Sequence, residues 1–277
     1  MNLKIVEYNL LDGMHDWEEK PRLVEKRLKL VREVVHALNP DILVLIEACD
    51  VAANDHGIKV DYKKEFKLPY HYHFPAVSGK KHGNSILSRW PIISSENYSV
   101  YQRKFGRVQM KVNEKMITID LVHPHPSLSE IERVQFFKGV LRDMKKPYLL
   151  VGDFNAWSLE DTKGRDINKV IATFKELPHY GKEDLEVIKA QVADRATCQS
   201  VEFVKGKDLI DTYRVIHKKG FGYTVPTDSF STNKDAAGRL DFIFSSKDFK
   251  VLDSGIVKNK LTEESSDHYP IYAVLDI

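Results

Sequence analysis

The stretch from Tyr148 to Trp157 constrains the fold more than any other part of this chain. It opens as a short apolar run, which is typical of a buried strand, and passes through Gly152 to Asp153 and Asn155. If the strand continued through Asn155, its two-residue period would place both polar side chains on one side of the backbone. An acid and an amide at the edge of a core indicate a site, because stranded polar groups are costly there. A strand end followed by an Asx turn explains the same residues equally well.

Length and composition are those of a globular protein that buries a substantial core. The chain has 277 residues, of which 42% are hydrophobic and 30% charged. Its apolar runs are shorter than the roughly 20 residues of a membrane helix, and its start lacks the layout of a signal peptide. Two cysteines, Cys49 and Cys198, are too few for a disulfide framework or a thiolate metal cage. We therefore expect a cytoplasmic protein with no membrane partner and, by default, a monomer.

The charge of the chain does not decide whether it binds nucleic acid. Its net charge is +2, far below the strong basicity of most nucleic-acid-binding modules. Two local clusters, Lys80-Lys81-His82 and Arg103-Lys104 with Arg107, could contact phosphates. Lysine-rich surfaces are more often simply solvated, so both interpretations remain open.

The rest of the chain is predicted to combine short strands with amphipathic helices, without a repeat or linker that divides it. Apolar residues at three- and four-residue spacing predict a helix that opens at Pro21, and a second helix between Ser127 and Met144. Four short β-prone segments between residues 84 and 122 predict antiparallel strands of a sandwich. Further strands are expected at 3–9, 41–46, 223–225, 240–244, 249–257 and 270–275, and helices at 166–177, 182–196 and 208–217.

Polar residues recur where the predicted buried strands begin or end. They are Asn9, Glu47, His123, Asp153, Asn155, Asp241, Asp267 and His268. In a two-sheet sandwich, strand ends and loops at one edge can converge into one cleft. Several carboxylates in one cleft repel each other unless a cation neutralises them, and an oxygen-rich set without thiolates suits Mg²⁺ or Mn²⁺ better than Zn²⁺. On local grounds alone, Glu47 is equally consistent with an ordinary strand end.

His71 and His73 form a second candidate site. Alternate residues of a strand share a face, so two imidazoles at this spacing can bind a metal. No acidic or cysteine residue stands nearby in the sequence, which favours structural or surface histidines. A zinc hydrolase built from these two residues with His123 and His125 is the least favoured hypothesis.

A series of motifs then runs in order from about residue 3 to the C-terminus. They are Asn9, Ile46-Glu47, Gly83 to Ile92, Leu121-Val-His123, Gly152-Asp-Phe-Asn155, Asp211-Thr-Tyr-Arg214, Arg239-Leu-Asp241 and Ser266-Asp-His-Tyr-Pro270. The series resembles the endonuclease/exonuclease/phosphatase (DNase I-like) superfamily, which includes DNase I, exonuclease III-type repair nucleases, neutral sphingomyelinases and inositol polyphosphate 5-phosphatases. The resemblance implies an α/β fold, a four-layer α/β/β/α sandwich of two mostly antiparallel sheets flanked by helices. It also implies a single catalytic domain over residues 1–277.

The resemblance implies a metal site at one edge of the two sheets. Glu47 would be the principal ligand of Mg²⁺, with Mn²⁺ as a possible substitute. Asn9 and Asp267 would lie near the metal and contact it directly or through water. The cation would offset the charge that develops on a phosphate in the transition state.

The resemblance also implies roles for the other polar residues. Asp153 would orient or deprotonate the attacking water, and Asn155 would hold the phosphate or that water. His268, oriented by Asp241, would contact the scissile phosphate or transfer a proton. His123 would donate a hydrogen bond to a phosphate oxygen.

The favoured function is a Mg²⁺-dependent phosphodiesterase or nuclease that cleaves DNA or RNA by direct attack of an activated water. The alternative is a phosphomonoesterase or small-molecule phosphodiesterase on the same scaffold, which the modest net charge slightly favours. A binding protein without turnover is a third hypothesis, weakened because every matching position keeps a competent residue type. The residues Ala48-Cys-Asp after Glu47 and Ala156-Trp157 after Asn155 differ from abasic-site nucleases, which argues against abasic-site repair.

Overall fold

The structure is a computed structural model that describes residues 2–16, 22–49, 60–75, 83–101, 103–176 and 183–277. Pro21 and the basic cluster at 80–82 lie outside these ranges. The strands are β1 (Asn2–Asn9), β2 (His15–Asp16), β3 (Arg22–Leu23), β4 (Ile42–Ala48), β5 (Tyr70–Phe74), β6 (Gly83–Ser88), β7 (Ile92–Val100), β8 (Arg103–Val112), β9 (Lys115–Val122), β10 (Tyr148–Asp153), β11 (Leu209–Asp211), β12 (Asp241–Ser246), β13 (Lys250–Ile256) and β14 (Ile271–Asp276). The helices are α1 (Glu25–Leu38), α2 (Tyr62–Phe66), α3 (Glu130–Val140), α4 (Leu159–Thr162), α5 (Ile167–Glu176), α6 (Leu185–Arg195), α7 (Gln199–Lys205), α8 (Thr212–Ile216) and α9 (Lys260–Ser265).

Two six-stranded sheets carry the fold within the described residues. The first has the order β13-β14-β1-β4-β6-β5 and the second has the order β11-β12-β10-β9-β8-β7. Neighbouring strands are parallel in two pairs, β1 with β4 and β9 with β10. The other pairs in these sheets are antiparallel. The predicted pair of mostly antiparallel sheets is confirmed.

The two faces of strand β1 show how the four layers arise. Leu3 and Ile5 point into the core between the two sheets, which they share with Leu149 and Val151 of β10. Their neighbours Val6 and Tyr8 point the other way, into a second core that α1 closes. On the far side of the second sheet, α3 and α7 close a third core against β10 and β12. Because these strands are buried on both faces, they are rich in apolar residues, and β10 begins as the continuous apolar run Tyr148–Val151.

Helices α1 and α3 are the crossovers that the two parallel strand pairs require. Helix α1 ends as predicted at Asn39, which takes up the left-handed conformation before Pro40. Helix α3 begins with a capping box in which Ser129 and Glu132 exchange hydrogen bonds. None of the helices among the described residues is long and apolar enough to cross a membrane.

Three local predictions differ from the structure. The helix predicted to open at Pro21 begins at Glu25, because Arg22–Leu23 form strand β3 and pair with β2. The predicted helix at 208–217 begins as strand β11 and becomes helical only at Thr212, because residues 209–211 pair with the edge of β12. The predicted strand at 223–225 is a single bridge between Val225 and Gly238. The helices predicted between residues 166 and 196 are confirmed as α5 and α6, inserted between the strands β10 and β11.

Candidate active site

The eight predicted site residues lie together at one edge of the sandwich. Parallel strands end on the same side of a sheet, so Asn9 ends β1 near Glu47 of β4 in the first sheet. In the second sheet, Asp153 ends β10, and Asp241 opens the antiparallel β12 directly opposite it. His123 follows β9, Asn155 follows β10, and Asp267-His268 precede β14. Six of the eight line a cavity of about 830 Å³, and Asn9 and Asp241 bond to members of that lining.

Asp153 is the centre of the cluster. Its Oδ2 atom accepts a hydrogen bond from Asn9 Nδ2 at 3.2 Å. The same oxygen lies 3.7 Å from His123 Nε2 and 3.9 Å from His268 Nε2. Burial, reinforced by the charge of Asp241, raises the pKa of Asp153 to about 7. A carboxyl group with this pKa is suited to accept a proton near neutral pH.

Gly152 brings the polar end of β10 close to the neighbouring strand. Its φ of 143° lies in a region that favours glycine, and an added Cβ would lie 2.0 Å from the carbonyl oxygen of Val122. A larger residue therefore cannot take its place without moving β9 or β10. This contact explains why glycine precedes the Asp-Phe-Asn sequence.

Asn155 reaches the site through a turn rather than by continuation of the strand. Strand β10 ends at Asp153, so the expectation that it persists through Asn155 is wrong. The Asn155 N–H donates to Asp153 Oδ1 at 2.7 Å, which is an Asx turn, and Asn155 has a left-handed φ of 49°. Its side-chain Nδ2 donates to the Pro124 carbonyl at 3.0 Å. The Asx-turn interpretation is confirmed, and the turn also places Asn155 on the wall of the cavity.

His268 is held by Asp241. The Nδ1–H group donates to Asp241 Oδ2 at 2.7 Å, which turns Nε2 towards Asp153. Burial acts to lower the pKa of His268, but the carboxylates of Asp241 and Asp267 outweigh it and raise that pKa well above its usual value. The imidazole is therefore held as a cation with Nε2–H facing the cleft.

His123 has the opposite electrostatic character. Burial lowers the pKa of His123, although the nearby charge of Glu47 acts in the opposite direction. Its Nε2 atom lies 3.8 Å from Glu47 Oε1, which is beyond hydrogen-bond distance. The cleft thus pairs a neutral imidazole with a cationic one.

Glu47 projects from an irregular point of β4. The pairing of β4 with β6 shifts register between Leu45 and Ala48, and Glu47 has a left-handed φ of 57°. Strained conformations of this kind persist where the surrounding structure holds them, often at functional sites. The Oε2 atom accepts the backbone N–H of Asp12 at 2.7 Å, and 19% of the side chain remains exposed to the cleft.

The loop that carries Asp267 is tied to β1. Ser266 Oγ donates to the carbonyl oxygen of Asn9 at 2.7 Å and lies 3.3 Å from Asp267 Oδ1. The Thr227 N–H donates to the Asp267 carbonyl oxygen at 2.9 Å, and burial raises the pKa of the Asp267 side chain. These bonds fix the loop against both β1 and the segment after residue 224.

Glu7 belongs to the same region and was missed by the sequence-based prediction. It follows Leu3 and Ile5 on the inner face of β1, two residues before Asn9, and it is fully buried. Its two carboxyl oxygens and Asp241 Oδ1 have no hydrogen-bond partner among the described residues. Burial, followed by the charge of Asp241, raises the pKa of Glu7 well above its usual value. Glu7 was missed because a single acid in a strand usually points to solvent.

Arg239 supports the start of β12 from the side opposite to Glu7. Its guanidinium forms a bidentate pair with Asp211 at 3.0 and 2.6 Å, and its Nε donates to Asp161 at 2.9 Å. Arg214 also pairs with Asp161. Asp211, Arg214 and Arg239 stand in the motifs of the sequence, but Asp161 does not, because its pairing with the two arginines joins segments far apart in the chain.

The donor atoms of the cleft fit a hard divalent cation. Asp153, Asp241 and His268 each offer one ligand atom, and these atoms lie within 4.8 Å of one another. Glu47 and Asp267 add two carboxylates on the side of the first sheet. Carboxyl groups this close together favour a bound cation, and an oxygen-dominated set is typical of Mg²⁺ and Mn²⁺.

The other candidate residues have structural surroundings. Both histidines lie on the edge strand β5. His73 Nδ1 bonds to Ser85 Oγ at 2.9 Å, and the His71 ring packs edge-on against Tyr62 of α2. Neither histidine is among the described residues that line the cavity. Arg107 is buried and forms two bonds of 2.7 Å with Asp120, so of the two interpretations left open by the sequence it fits neither a phosphate contact nor a solvated surface. Arg103 and Lys104 do line the cavity.

Comparison with known proteins agrees with this architecture. The model of the endonuclease/exonuclease/phosphatase family matches residues 7–268. The endonuclease/exonuclease/phosphatase structure from Beutenbergia cavernae DSM 12333 has a TM-score of 0.67 at 16% identity, over 100% of this chain and 72% of that one. A protein of the same family from Leptotrichia buccalis C-1013-b gives 0.63 at 20%, over 99% and 100% of the two chains.

D. rerio TDP2, complexed with a single-strand DNA product, has a TM-score of 0.60 at 16% identity, over 100% of this chain and 99% of that one. At these identities the solved structures establish a shared fold. No curated protein matches the chain significantly.

Proposed function

The chain belongs to the endonuclease/exonuclease/phosphatase family, and on that premise we propose that it is a Mg²⁺-dependent phosphodiesterase that cleaves DNA or RNA. Hydrolysis of phosphate esters follows from the family, whose members generally depend on a divalent metal. The finer proposal is supported by the position of Asp153 between a neutral imidazole, His123, and a cationic one, His268, with the carboxylates of both sheets nearby. Residues 1–277 act as a single catalytic domain in this proposal.

Glu47 is the main ligand of the cation in this proposal, with Asn9 and Asp267 beside it. When bound, the metal would act as a Lewis acid on a phosphate oxygen and neutralise the charge of the surrounding carboxylates. The Asp241–His268 pair is a poorer ligand set, because its 2.7 Å hydrogen bond already occupies Nδ1 of the imidazole. Asp241 is therefore assigned to the histidine rather than to the metal.

The remaining residues perform hydrolysis by direct water attack. Asp153 orients the water and accepts one proton as the water oxygen bonds to phosphorus. His268 gives its Nε2 proton to the leaving oxygen as the phosphorus–oxygen ester bond breaks, so the products are an alcohol and a phosphate monoester. His123 and Asn155 donate hydrogen bonds to the phosphate oxygens, whose negative charge increases in the transition state.

A nucleic-acid substrate is supported by the cationic residues Arg103 and Lys104 on the cavity wall and by the DNA product in the TDP2 structure. A phosphomonoesterase or small-molecule phosphodiesterase is the second candidate, because a net charge of +2 provides few contacts for tracking a nucleic-acid backbone. Both candidates use the same site. Salt dependence of substrate binding separates them, since each phosphate contact adds to the slope of affinity against salt.

The proposal is tested by hydrolysis of bis-p-nitrophenyl phosphate, single- and double-stranded DNA, and RNA. Exhaustive EDTA treatment should remove activity, and Mg²⁺ or Mn²⁺ should restore it. Glu47→Ala and His268→Ala should each abolish metal-dependent turnover while circular dichroism stays unchanged. Glu25→Ala and His36→Ala are the matched controls, because both residues are exposed on α1 and neither is among the described residues that line the cavity. Activity that survives chelation, or full activity in either site variant, would contradict the proposal.

A further inference from the structure

The cavity continues beyond the polar cluster, and its two sides differ in chemistry. One part of the wall carries the polar and cationic residues Asn97, Arg103 and Lys104 from strands β7 and β8, next to Phe74 and Phe105. On the other side it is largely apolar and includes Phe174 of the inserted helix α5. The volume of about 830 Å³ is that of a pocket for a nucleotide-sized ligand, and it greatly exceeds the space a phosphate group needs.

The apolar side is formed by the helical insertion and by the segment between Val225 and Gly238. Val225, Phe230 and Leu240 line it together with Phe174. Trp157 also lines it, but Arg165 and Arg195 lie 4.6 and 5.8 Å from the centre of its ring. Its ring therefore already packs against two guanidinium groups, and another ring must supply any stacking surface for a ligand.

Phe230 is the aromatic residue best placed to stack on a ligand. It is 45% exposed, although it lines the cavity, and its ring stacks on no other aromatic ring among the described residues. A single exposed aromatic residue on a surface is ordinary, but this one opens into the cavity that contains Asp153 and His268. An exposed aromatic face in such a cavity is a surface for a planar group.

The backbone connects Phe230 to the catalytic loop. The Phe230 N–H donates to the Thr227 carbonyl oxygen at 3.2 Å. Thr227 in turn donates its N–H to the Asp267 carbonyl oxygen at 2.9 Å and its Oγ1–H to the Ser266 carbonyl oxygen at 2.7 Å. The backbone that carries Phe230 is thus connected to the residues that precede His268.

We propose that Phe230, with Phe174 and Leu240, forms a subsite for a planar aromatic ring attached to the scissile phosphodiester. This inference rests on the proposed phosphodiesterase activity. A ring can enter the subsite only if it is not paired and stacked within a duplex, so the substrates are phosphodiesters with a free ring. Unpaired nucleotides and small aryl phosphodiesters share this chemistry.

The experiment compares kcat/KM for bis-p-nitrophenyl phosphate, a short single-stranded oligodeoxynucleotide and the same sequence as a blunt duplex. The variants are Phe230→Ala, Phe230→Tyr and the control Phe221→Ala, whose exposure of 49% matches the 45% of Phe230 outside this cavity. Phe230→Ala should lower kcat/KM about tenfold on substrates with a free ring, because stacking of a base on an aromatic side chain is worth about this much. Phe230→Tyr keeps the ring and should restore the rate, and the wild type should prefer the single strand to the duplex.

Each outcome has a separate meaning. A loss confined to the oligonucleotide identifies nucleobases as the bound rings, whereas a loss confined to bis-p-nitrophenyl phosphate identifies small aryl esters. Equal kcat/KM values for Phe230→Ala and Phe221→Ala on all substrates would overturn the subsite while leaving the proposed hydrolase intact. If the wild type hydrolysed none of the substrates with Mg²⁺ or Mn²⁺, the proposed function itself would fail.

Discussion

The two sheets bring their polar residues to the same edge by the same construction, but the Glu47 carboxylate of the first sheet is more exposed than the Asp153 and Asp241 carboxylates of the second. Each sheet ends a parallel strand pair at the cleft and places an antiparallel strand, β14 or β12, beside that pair. In the first sheet the Glu47 side chain keeps 19% of its surface open to the cleft. In the second, the side chains of Asp153 and Asp241 are only 3% and 0% exposed and are fixed by hydrogen bonds.

This difference in exposure indicates that the two groups of carboxylates have different roles. An open carboxylate on a bulged strand can exchange its solvent contacts for a cation. Closed carboxylates hold a water and a histidine in fixed orientations, which is the property that catalytic groups need. We therefore expect substitutions of Glu47, on the open side of the cleft, to weaken metal binding. Substitutions of Asp153 and Asp241, on the closed side, should slow turnover.

The largest effect should come from Asp153→Asn. The amide keeps the shape of the side chain but cannot accept the proton of water, so kcat should fall by about 10²- to 10⁴-fold. Steady-state kinetics at saturating Mn²⁺ measures the loss, with Asp143→Asn, an exposed residue between α3 and β10, as the control. If a higher Mn²⁺ concentration restored the kcat of Asp153→Asn, Asp153 would be a metal ligand. Metal binding would then not be confined to the Glu47 side of the cleft.

Two arginines extend the comparison to stability. Arg239 pairs with the buried carboxylates of Asp211 and Asp161, whereas Arg27 of α1 donates to the carbonyl oxygens of Leu10 and Ser265. Arg239→Met leaves two buried acids without a counter-charge and should lower the free energy of unfolding by about 3–5 kcal/mol. Arg27→Met loses charged hydrogen bonds to neutral acceptors and should cost about 1.5–3 kcal/mol. Urea unfolding orders the two variants, and a larger loss for Arg27→Met would reverse the comparison.

Substitution of Glu7 is expected to raise the free energy of unfolding, by less than the arginine substitutions lower it. Its raised pKa means that the folded state binds this proton more tightly than the unfolded state does. The stability of the wild type should therefore decrease as pH rises from the usual glutamate value of 4.5 through the raised value. Glu7→Gln does not titrate, so in EDTA at pH 8 it should be more stable than the wild type by about 1–3 kcal/mol. The advantage should vanish below pH 4.5, and an equal advantage at every pH would remove the carboxyl group as its cause.

The fold and most of the site could be predicted because buried strands are visible as apolar runs. Asn9, Glu47, Asp153 and Asp241 stand at the ends of such runs, and a sandwich brings strand ends together. What could not be predicted depends on side-chain direction within doubly buried strands. Glu7 lies in a strand whose two faces are both apolar, so alternation does not reveal that it points into the inter-sheet core.

Local and long-range geometry also limited the prediction. The sequence pattern allowed strand β10 to extend through Asn155, but the Asx turn at Asp153 ends the strand two residues earlier. Phe230 and Phe174 come from a loop and a helix whose approach to the cleft depends on packing over long sequence separations. Local patterns do not contain that information.

In this mechanism Glu47 binds the cation, whereas Asp153 and Asp241 orient the reacting groups. Mn²⁺ titration of Glu47→Gln and Asp241→Asn tests these two roles directly. Calorimetry or Mn²⁺ paramagnetic resonance measures the dissociation constant without substrate. We expect Glu47→Gln to weaken Mn²⁺ binding at least about tenfold, because it loses a charged ligand, and Asp241→Asn to bind Mn²⁺ like the wild type. Wild-type affinity in Glu47→Gln together with lost affinity in Asp241→Asn would contradict this expectation and move the cation to the Asp153–Asp241–His268 cluster.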